Sequence, residues 1–213
     1  MAERKKTGKI AILDAAETLF ARLGYYGVSL RDITSEAKVE LGLSSYHFGK
    51  KEELFRQVVE RRADEMCQIE LAALDAVVAA AGDLVPTVEQ ILRAYVMTRF
   101  DLSYARGAEW ADYTRLSHHF LALDDRGRFI GHYRDVARTI GAAYVDALAR
   151  TLPSTPRDKI AILFDMMRLT LTSITADTTS TVIEADTPEG REVAARKLIH
   201  VFAAGLKTLD PAD

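Results

Sequence analysis

Apolar side chains recur at helical spacing along almost the whole chain. In the first such segment they fall three, three, four and three residues apart, which places them on one face of a helix over residues 10–23. Gly24 ends this pattern, as glycine commonly does at a helix C-terminus. The positions that define this face are Ile10, Leu13, Ala16, Phe20 and Leu23.

Two short helices are predicted next. The letters SLRD form a capping box in which Ser29 is the N-cap and Asp32 its partner, opening a helix that reaches about Ala37. A third helix runs from about Glu40 to Tyr46 after a connection of about three residues. This spacing predicts a helix-turn-helix.

From Lys51 to about Ala81 nothing in the sequence interrupts a helix. A helix of that length would span roughly 45 Å, which is enough to connect two bodies. We place the domain boundary in its first half, with residues 1–55 as one domain and residues 56–213 as the other.

Five further helices are predicted, over about 87–105, 108–123, 129–152, 155–176 and 187–209. The first opens with a capping box, TVEQ, and the last two carry a proline in the first turn. Alternation of β-branched residues is almost absent. The prediction is an all-α fold of nine helices, with a three-helix helix-turn-helix domain in front of a larger C-terminal helical bundle.

Composition excludes several classes of protein. Cys67 is the only cysteine, so an intramolecular disulfide is excluded. The first apolar segment is broken by Asp14 and Glu17 and does not form a signal peptide, and no apolar run reaches about 18 residues. We therefore expect a cytoplasmic protein with no membrane partner.

The net charge of −3 is unevenly distributed. Residues 1–51 carry nine Lys or Arg and six Asp or Glu, whereas the remainder has a net charge of −6. A basic end on an acidic body favours a polyanion as partner for that end, although a small excess is also common on an ordinary surface.

The third predicted helix carries small and polar residues on one side, namely Leu41, Gly42, Ser45 and Tyr46, with His47 at its end. Glycine lets a helix approach a surface closely, and Ser, Tyr and His donate hydrogen bonds to phosphates and base edges. The lysine pair that follows begins a helix whose free N–H groups attract anions. The stretch fits a duplex groove flanked by phosphate, but would also suit the exposed face of a helical bundle.

The letters GYYGVSLRDITSEAKVELGLSSYHFGKKEELF, residues 24–55, resemble the N-terminal DNA-binding domain of the TetR family of transcriptional repressors. The resemblance extends over about residues 8–56, and the family also has nine helices. The matching positions are Phe20, Gly24, Ser29, Ile33, Ala37, Val39, Gly42, His47, Phe48, Lys51 and Leu54.

The resemblance implies a homodimeric repressor that binds double-stranded DNA. It implies contacts to base edges or the groove from Leu41, Gly42, Leu43 and Tyr46. It implies phosphate contacts from Ser29, Arg31, Ser45, His47 and Lys51.

The sequence departs from the family pattern at a few positions. Thr34 stands where alanine is usual, and Glu40 where a Ser or Thr caps the recognition helix. Lys38 replaces the turn glycine, which predicts a lysine in the left-handed conformation. Residues 44–45 are two serines in place of Leu-Tyr, and an aromatic side chain follows one place later at Tyr46.

The resemblance also implies that the C-terminal domain forms the dimer and binds a small molecule. The last two predicted helices carry apolar stripes that suit either a four-helix interface between subunits or the core of one chain. These stripes are Ile160, Leu163, Met167, Leu171 and Ile174 in one helix, and Ala194, Leu198, Val201, Phe202, Gly205 and Leu206 in the other.

The middle helices place aromatic and sulfur-containing side chains beside a few polar ones, which is typical of a small-molecule site and equally of a bundle core. We expect an apolar or aromatic effector. The candidate contacts are Phe100, Tyr104, Trp110, Tyr113, His118, His119, Met166 and Thr170.

An enzyme is the alternative from a different class. The letters SHHF and the two following aspartates suggest a metal site, but adjacent histidines on a helix point about 100° apart. No His-Glu-x-x-His motif or glycine-rich phosphate loop occurs. We therefore expect no catalytic residue, no metal and no cofactor. A helical adaptor or dimerisation protein with impaired DNA binding is a further alternative, suggested by the departures above.

Overall fold

The computed structural model describes the backbone of residues 2–123, 131–176 and 185–208, and the side chains of residues 8–117, 131–176 and 185–208. Helix is the only regular secondary structure in these ranges, so the all-α prediction is confirmed. No helix in the described ranges is long and apolar enough to cross a membrane. The helices are α1 (Ala2–Leu23), α2 (Leu30–Glu36), α3 (Leu41–Phe48), α4 (Lys51–Glu60), α5 (Ala63–Ala81), α6 (Val88–Tyr104), α7 (Ala108–Leu123), α8 (Gly131–Thr151), α9 (Arg157–Ala176) and α10 (Pro188–Thr208).

The first four helices pack against one another, and α1 contributes a fully buried face. Ile12, Ala16 and Phe20 lie on the inward face of α1 and are fully buried. The ring of Phe20 meets the ring of Phe55, on α4, edge-on at a centroid distance of 5.0 Å. Gly24 follows α1 with a φ of 70°, a value that glycine adopts without strain. The buried face of α1 is therefore held against α4 by these two rings.

The helix predicted over residues 51–81 is interrupted, and that part of the prediction is wrong. Arg61 and Arg62 separate α4 from α5, and Arg62 has a φ of −115° and a ψ of 1°. At the break the carbonyl oxygen of Val59 accepts a hydrogen bond of 2.7 Å from the hydroxyl of Tyr113 on α7. The described residues therefore contain ten helices, which become the nine of the prediction when α4 and α5 are taken as one bent helix.

In the larger unit, α6, α8 and α9 meet in one aromatic cluster. Its members are Tyr95 on α6, Tyr144 on α8 and Phe164 on α9, whose ring centroids lie 5.1–5.5 Å apart. The capping box predicted at the start of α6 is present, because Thr87 Oγ1 accepts from the backbone N–H of Gln90 at 3.2 Å and Gln90 Oε1 accepts from that of Thr87 at 2.8 Å.

The first unit rests on the larger one through α1 and α7. Thr18 Oγ1 donates to Asp112 Oδ2 at 3.0 Å. Arg62 Nε donates to Glu17 Oε1 at 2.9 Å, and its guanidinium carbon lies 5.5 Å from the centroid of the Trp110 ring. Burial raises the pKa of the Glu17 carboxyl, and the neighbouring Arg62 opposes that rise. The break between α4 and α5 is thus tied to both units.

The apolar stripe predicted on α9 faces the interior of the chain. Ile160, Met167 and Leu171 are all fully buried. A different face of α9 and two positions of α10 are exposed instead. The large apolar residues exposed on these helices are Ile162, Met166, Leu169, Val193 and Val201.

Candidate nucleic-acid interface

Helix α3 has a buried face and an exposed edge. Ser44 and Phe48 lie on the buried face. Gly42 is exposed, and a Cβ built on it would meet nothing within 4 Å. Leu41 is 40% and Tyr46 68% exposed. Together with the exposed Ser45, this edge offers a narrow surface of small and polar groups that a groove could accommodate.

Leu43 is placed differently from the other residues expected to contact bases. It is half-buried, and a Cβ built on Gly8 would lie 2.6 Å from Leu43 Cδ2. The absence of a side chain at Gly8 therefore lets α1 approach α3 at this point. Leu43 supports the position of α3 through this contact.

His47 is half-buried at the C-terminal end of α3, and its ring lies 5.0 Å from that of Tyr46. Its Nε2 atom is buried without a hydrogen-bond partner in the described part of the chain. A phosphate contact from this histidine would therefore use Nδ1, or require the ring to turn.

The start of α2 carries the predicted capping box, which is confirmed. Ser29 Oγ donates to Asp32 Oδ2 at 2.6 Å and accepts from the Asp32 backbone N–H at 3.2 Å. The hydrogen bonds from Ser29 hold the pKa of the Asp32 carboxyl below its usual value. Because the Ser29 hydroxyl is committed to this cap, the exposed Arg31 is the stronger candidate for a phosphate contact here.

Lys51 is the first residue of α4 and is held next to the start of α2. Its Nζ lies 4.3 Å from the centroid of the Tyr25 ring. Burial lowers the pKa of Lys51, and the charge of Asp32 opposes that effect. With the exposed Lys50 as N-cap, two cations and the free N–H groups of α4 lie directly after α3. This is the chemistry that a phosphate backbone requires.

The departures from the family pattern have distinct structural consequences. Lys38 adopts a φ of 54°, so the prediction of a left-handed lysine is confirmed. Thr34 is buried, and its hydroxyl donates to the Leu30 carbonyl at 2.9 Å. Glu40 is the N-cap of α3 but makes no side-chain capping bond. The hydroxyl of Ser44 is buried with no hydrogen-bond partner among the described residues.

The residues expected to contact an effector do not form one cluster. Phe100, Trp110 and Tyr113 are buried in the core, at most 3% exposed. Tyr104 is half-buried and donates to the Ile174 carbonyl at 3.4 Å. Met166 and Thr170, by contrast, lie on the exposed side of α9. The side chains of His118 and His119 lie outside the described residues.

Sequence reasoning missed a polar group inside the larger unit. Glu70 on α5 and Arg99 on α6 are both buried, and Arg99 Nη1 donates to Glu70 Oε1 at 3.2 Å. Burial raises the pKa of the Glu70 carboxyl, opposed by the charge of Arg99. The available signal was periodicity, because Glu70 lies four residues after Met66 and Arg99 four after Tyr95, each on a buried stripe.

A short helix with an exposed edge, followed by a cationic helix start, is the arrangement of a helix-turn-helix DNA-binding unit. Two family models match the chain: "Bacterial regulatory proteins, tetR family" over residues 12–58, and "Tetracyclin repressor-like, C-terminal domain" over residues 93–205. The chain therefore belongs to the TetR family and is a helix-turn-helix transcriptional regulator.

Curated relatives match the N-terminal part. IcaR of Staphylococcus epidermidis, a negative transcriptional regulator of the biofilm operon icaADBC, is 40% identical over 52 residues, which are 24% of this chain and 28% of that protein. The transcriptional repressor Rv3405c of Mycobacterium tuberculosis is 39% identical over 59 residues, which are 28% of this chain and 31% of that protein. The chain thus spans about three tenths of the length of the curated relatives it matches.

Solved structures match nearly the whole chain. A TetR-family transcriptional regulator from Bordetella parapertussis superimposes with a TM-score of 0.65 at 18% identity, covering 91% of this chain and 93% of that chain. The ketosteroid transcriptional regulator KstR2 of Mycobacterium tuberculosis superimposes with a TM-score of 0.66 at 16% identity, covering 92% and 93%. At these identities the likeness shows a shared fold.

Proposed function

We propose that this protein is a repressor that binds a roughly palindromic operator as a homodimer and leaves it when a small effector binds. In this proposal residues 1–55 form the DNA-binding domain, residues 56–213 bind the effector and form the dimer, and the protein acts in the cytoplasm. The observation that carries the proposal is the exposed edge of α3, where Gly42 and Tyr46 adjoin the lysines that begin α4.

The proposed DNA contacts divide into two kinds. Leu41, Gly42 and Tyr46 enter the major groove, where hydrogen bonds and apolar contacts to base edges carry sequence information. Arg31 and Lys51 contact phosphates on either side, and these contacts provide affinity that falls as salt rises. Ser45 and His47 add polar groups at the edge of α3, while Ser29 and Leu43 act mainly by fixing α2 and α3 in position.

The test begins with selection of genomic fragments that the protein binds, followed by affinity measurements at two salt concentrations. Replacing Tyr46 and Lys51 together by alanine should weaken binding at least tenfold and reduce the dependence on salt, since one lost phosphate contact lowers the salt slope by about one. The matched control replaces Tyr26, which is 81% exposed outside α3, and Arg150, which is exposed on α8 and lies outside the proposed dimer helices. Equal affinities for the two variants would refute the contact assignment. Absence of binding by the wild-type protein even at low salt would favour the adaptor alternative.

The proposed dimer uses the exposed apolar face of α9. Ile162, Met166 and Leu169 are spaced four and three residues apart and are each more than half exposed. Two copies of α9 and α10 meeting through this face would form a four-helix interface with two-fold symmetry. Light scattering should report a dimer for the wild-type protein and a monomer for Ile162→Glu with Leu169→Glu. Leu84→Glu, in the exposed loop before α6, is the control that should remain dimeric.

Release by an effector requires that the effector bind the DNA-free geometry of the dimer more tightly than the DNA-bound one. We place the link between effector binding and the DNA contacts at the break between α4 and α5. Helix α4 begins with Lys51 at its DNA-binding end, and Arg62, at the break, contacts Glu17 and Trp110. A shift of α5 would move these contacts and change the spacing of the two recognition helices.

A further inference from the structure

The described residues enclose a small polar cavity between α5, α6, α8 and α9. Its volume is about 10 Å³, room for about one water molecule. Glu70, Tyr95, Arg99, Tyr133 and Arg168 contribute to its wall. Two arginines in so small a lining are unusual, because a buried charge such as that of Arg99 is costly unless it is paired and hydrogen-bonded.

Arg99 is only partly satisfied by its neighbours. Its Nη1 atom donates to Glu70 Oε1 and contacts Met66 Sδ, both at 3.2 Å. Hydrogen bonds between a guanidinium and a carboxylate are normally about 2.7–2.9 Å long. Within the part of the chain that the structure describes, no other hydrogen bond from this guanidinium is found. The donors on Nε and Nη2 therefore remain for a water molecule, for which the cavity has room.

Arg168 connects this cavity to the surface. It lines both the cavity and an open groove of about 370 Å³ between α8 and α9. Its Nε and Nη2 atoms contact Asp165 Oδ1 at 3.2 Å. The groove is lined by small apolar residues, including Ala137, Gly141 and Val145. Its volume lies within the range of small-molecule sites, about 300–1,000 Å³.

We propose that the groove binds an organic anion with an apolar body, its acidic group at Arg168, which lines both the groove and the cavity, and its body over Gly141. Arg138 and Arg157 also line the groove. Each forms an ion pair with an exposed aspartate, which neutralises its charge only weakly. The inference rests on the proposed function and changes the expected effector from a purely apolar molecule to an amphipathic anion.

The site lies close to the junction with the DNA-binding unit. Met66 and Glu70 lie in the first three turns of α5, which follows directly after Arg62, and Arg62 binds Glu17 on α1. An anion paired with Arg168 offsets the favourable charge that Arg168 exerts on Glu70, and so changes the electrostatics of α5 next to the break. Binding at this site therefore favours one of two geometries, as release from DNA requires.

The experiment measures binding of octanoate, octyl phosphate, octanol and octylamine to DNA-free protein by calorimetry. Three variants of the full chain are compared with the wild type. Arg168→Gln removes a charge that is accessible from the groove, and Gly141→Leu fills the groove where a Cβ would meet nothing within 4 Å. Arg150→Gln is the matched control, because Arg150 is exposed on α8 and lines neither space.

We expect the anions to bind at least tenfold more tightly than octanol or octylamine, and the two anions to show which acidic group is preferred. Arg168→Gln and Gly141→Leu should each weaken anion binding at least tenfold, whereas Arg150→Gln should not. Equal binding of octanol and octanoate, or equal affinity of Arg168→Gln and Arg150→Gln, would overturn the proposal. A parallel titration of the protein–operator complex separates the proposal of an anion site from the proposal of release by an effector. Anion binding without release of DNA would support the anion site but reject its role as the effector site.

Discussion

The hydroxyl of Tyr113 on α7 donates a 2.7 Å hydrogen bond to the carbonyl oxygen of Val59, in the last turn of α4. Within a continuous helix that carbonyl would accept from the backbone N–H four residues later. The side chain of Tyr113 instead supplies the partner at the point where α4 ends. The bend between the DNA-binding unit and the larger unit is therefore stabilised by a contact between distant parts of the sequence.

Tyr113→Phe should destabilise the protein, because it leaves the buried Val59 carbonyl without this donor. The expected loss in the free energy of unfolding is about 1–2 kcal/mol, measured by urea denaturation. Tyr26→Phe is the control, because Tyr26 is 81% exposed and should give no change. Unchanged stability in Tyr113→Phe would mean that another group satisfies the carbonyl.

This contact also explains why the prediction of one unbroken helix over residues 51–81 failed. Nothing local in that stretch breaks a helix, and the break depends on Tyr113, Trp110 and Glu17, which are distant in sequence. The capping boxes at Ser29 and Thr87 were predictable because each joins residues three positions apart. Local chemistry was readable from the sequence, whereas tertiary hydrogen bonds were not.

The same distinction applies to the two candidate sites. The exposed edge of α3 follows from a short pattern of residues, and its exposed positions lie where the pattern placed them. The candidate effector contacts could not be assigned in this way, because a buried aromatic such as Phe100 has the same pattern whether it fills the core or lines a cavity. Charged residues on buried stripes, Glu70 and Arg99, are the signal in the sequence for the polar cavity described above.

The pairing of Arg62 with Glu17 predicts a dependence of stability on pH. Burial raises the pKa of Glu17, and Arg62 lowers it, so Arg62→Met should raise that pKa further. A carboxyl with a raised pKa in the folded state binds its proton more tightly there than in the unfolded chain. The stabilisation that this carboxyl provides is therefore fully present at pH values below its unfolded pKa of 4.5. It is lost as pH rises through the pKa of the folded state.

We therefore expect Arg62→Met to lose about 3 kcal/mol of unfolding free energy at pH 8, and clearly less at pH 5. Denaturation curves at both pH values measure this. In the double variant with Glu17→Gln the dependence on pH should largely disappear, because the titrating group is absent. An equal loss for Arg62→Met at both pH values would show that the arginine acts by packing on Trp110 alone.

Ser44→Ala should stabilise the protein. The Ser44 hydroxyl is buried in α3 without a hydrogen-bond partner among the described residues, and an unpaired buried hydroxyl costs about 1–3 kcal/mol. Ser45→Ala is the control, because it gives the same gain in helix propensity at an exposed position. The difference between the two variants in thermal denaturation isolates the cost of burial. A smaller gain for Ser44→Ala than for Ser45→Ala would show that the hydroxyl is satisfied in solution.

Lys38→Gly should also stabilise the protein, through the backbone. Lys38 connects α2 to α3 with a φ of 54°, where a side chain crowds the following carbonyl at a cost of about 1–2 kcal/mol. Glycine removes that strain but gains freedom in the unfolded chain, which offsets about 0.4–1 kcal/mol. The expected net gain of about 1 kcal/mol corresponds to a rise in melting temperature of about 2–4 °C. Lys38→Ala keeps the Cβ, and with it the backbone strain, while removing the rest of the side chain and its charge, so it should leave the melting temperature nearly unchanged. If alanine stabilised the protein as much as glycine, the charge of the lysine near α3, rather than its backbone conformation, would be the source of the cost.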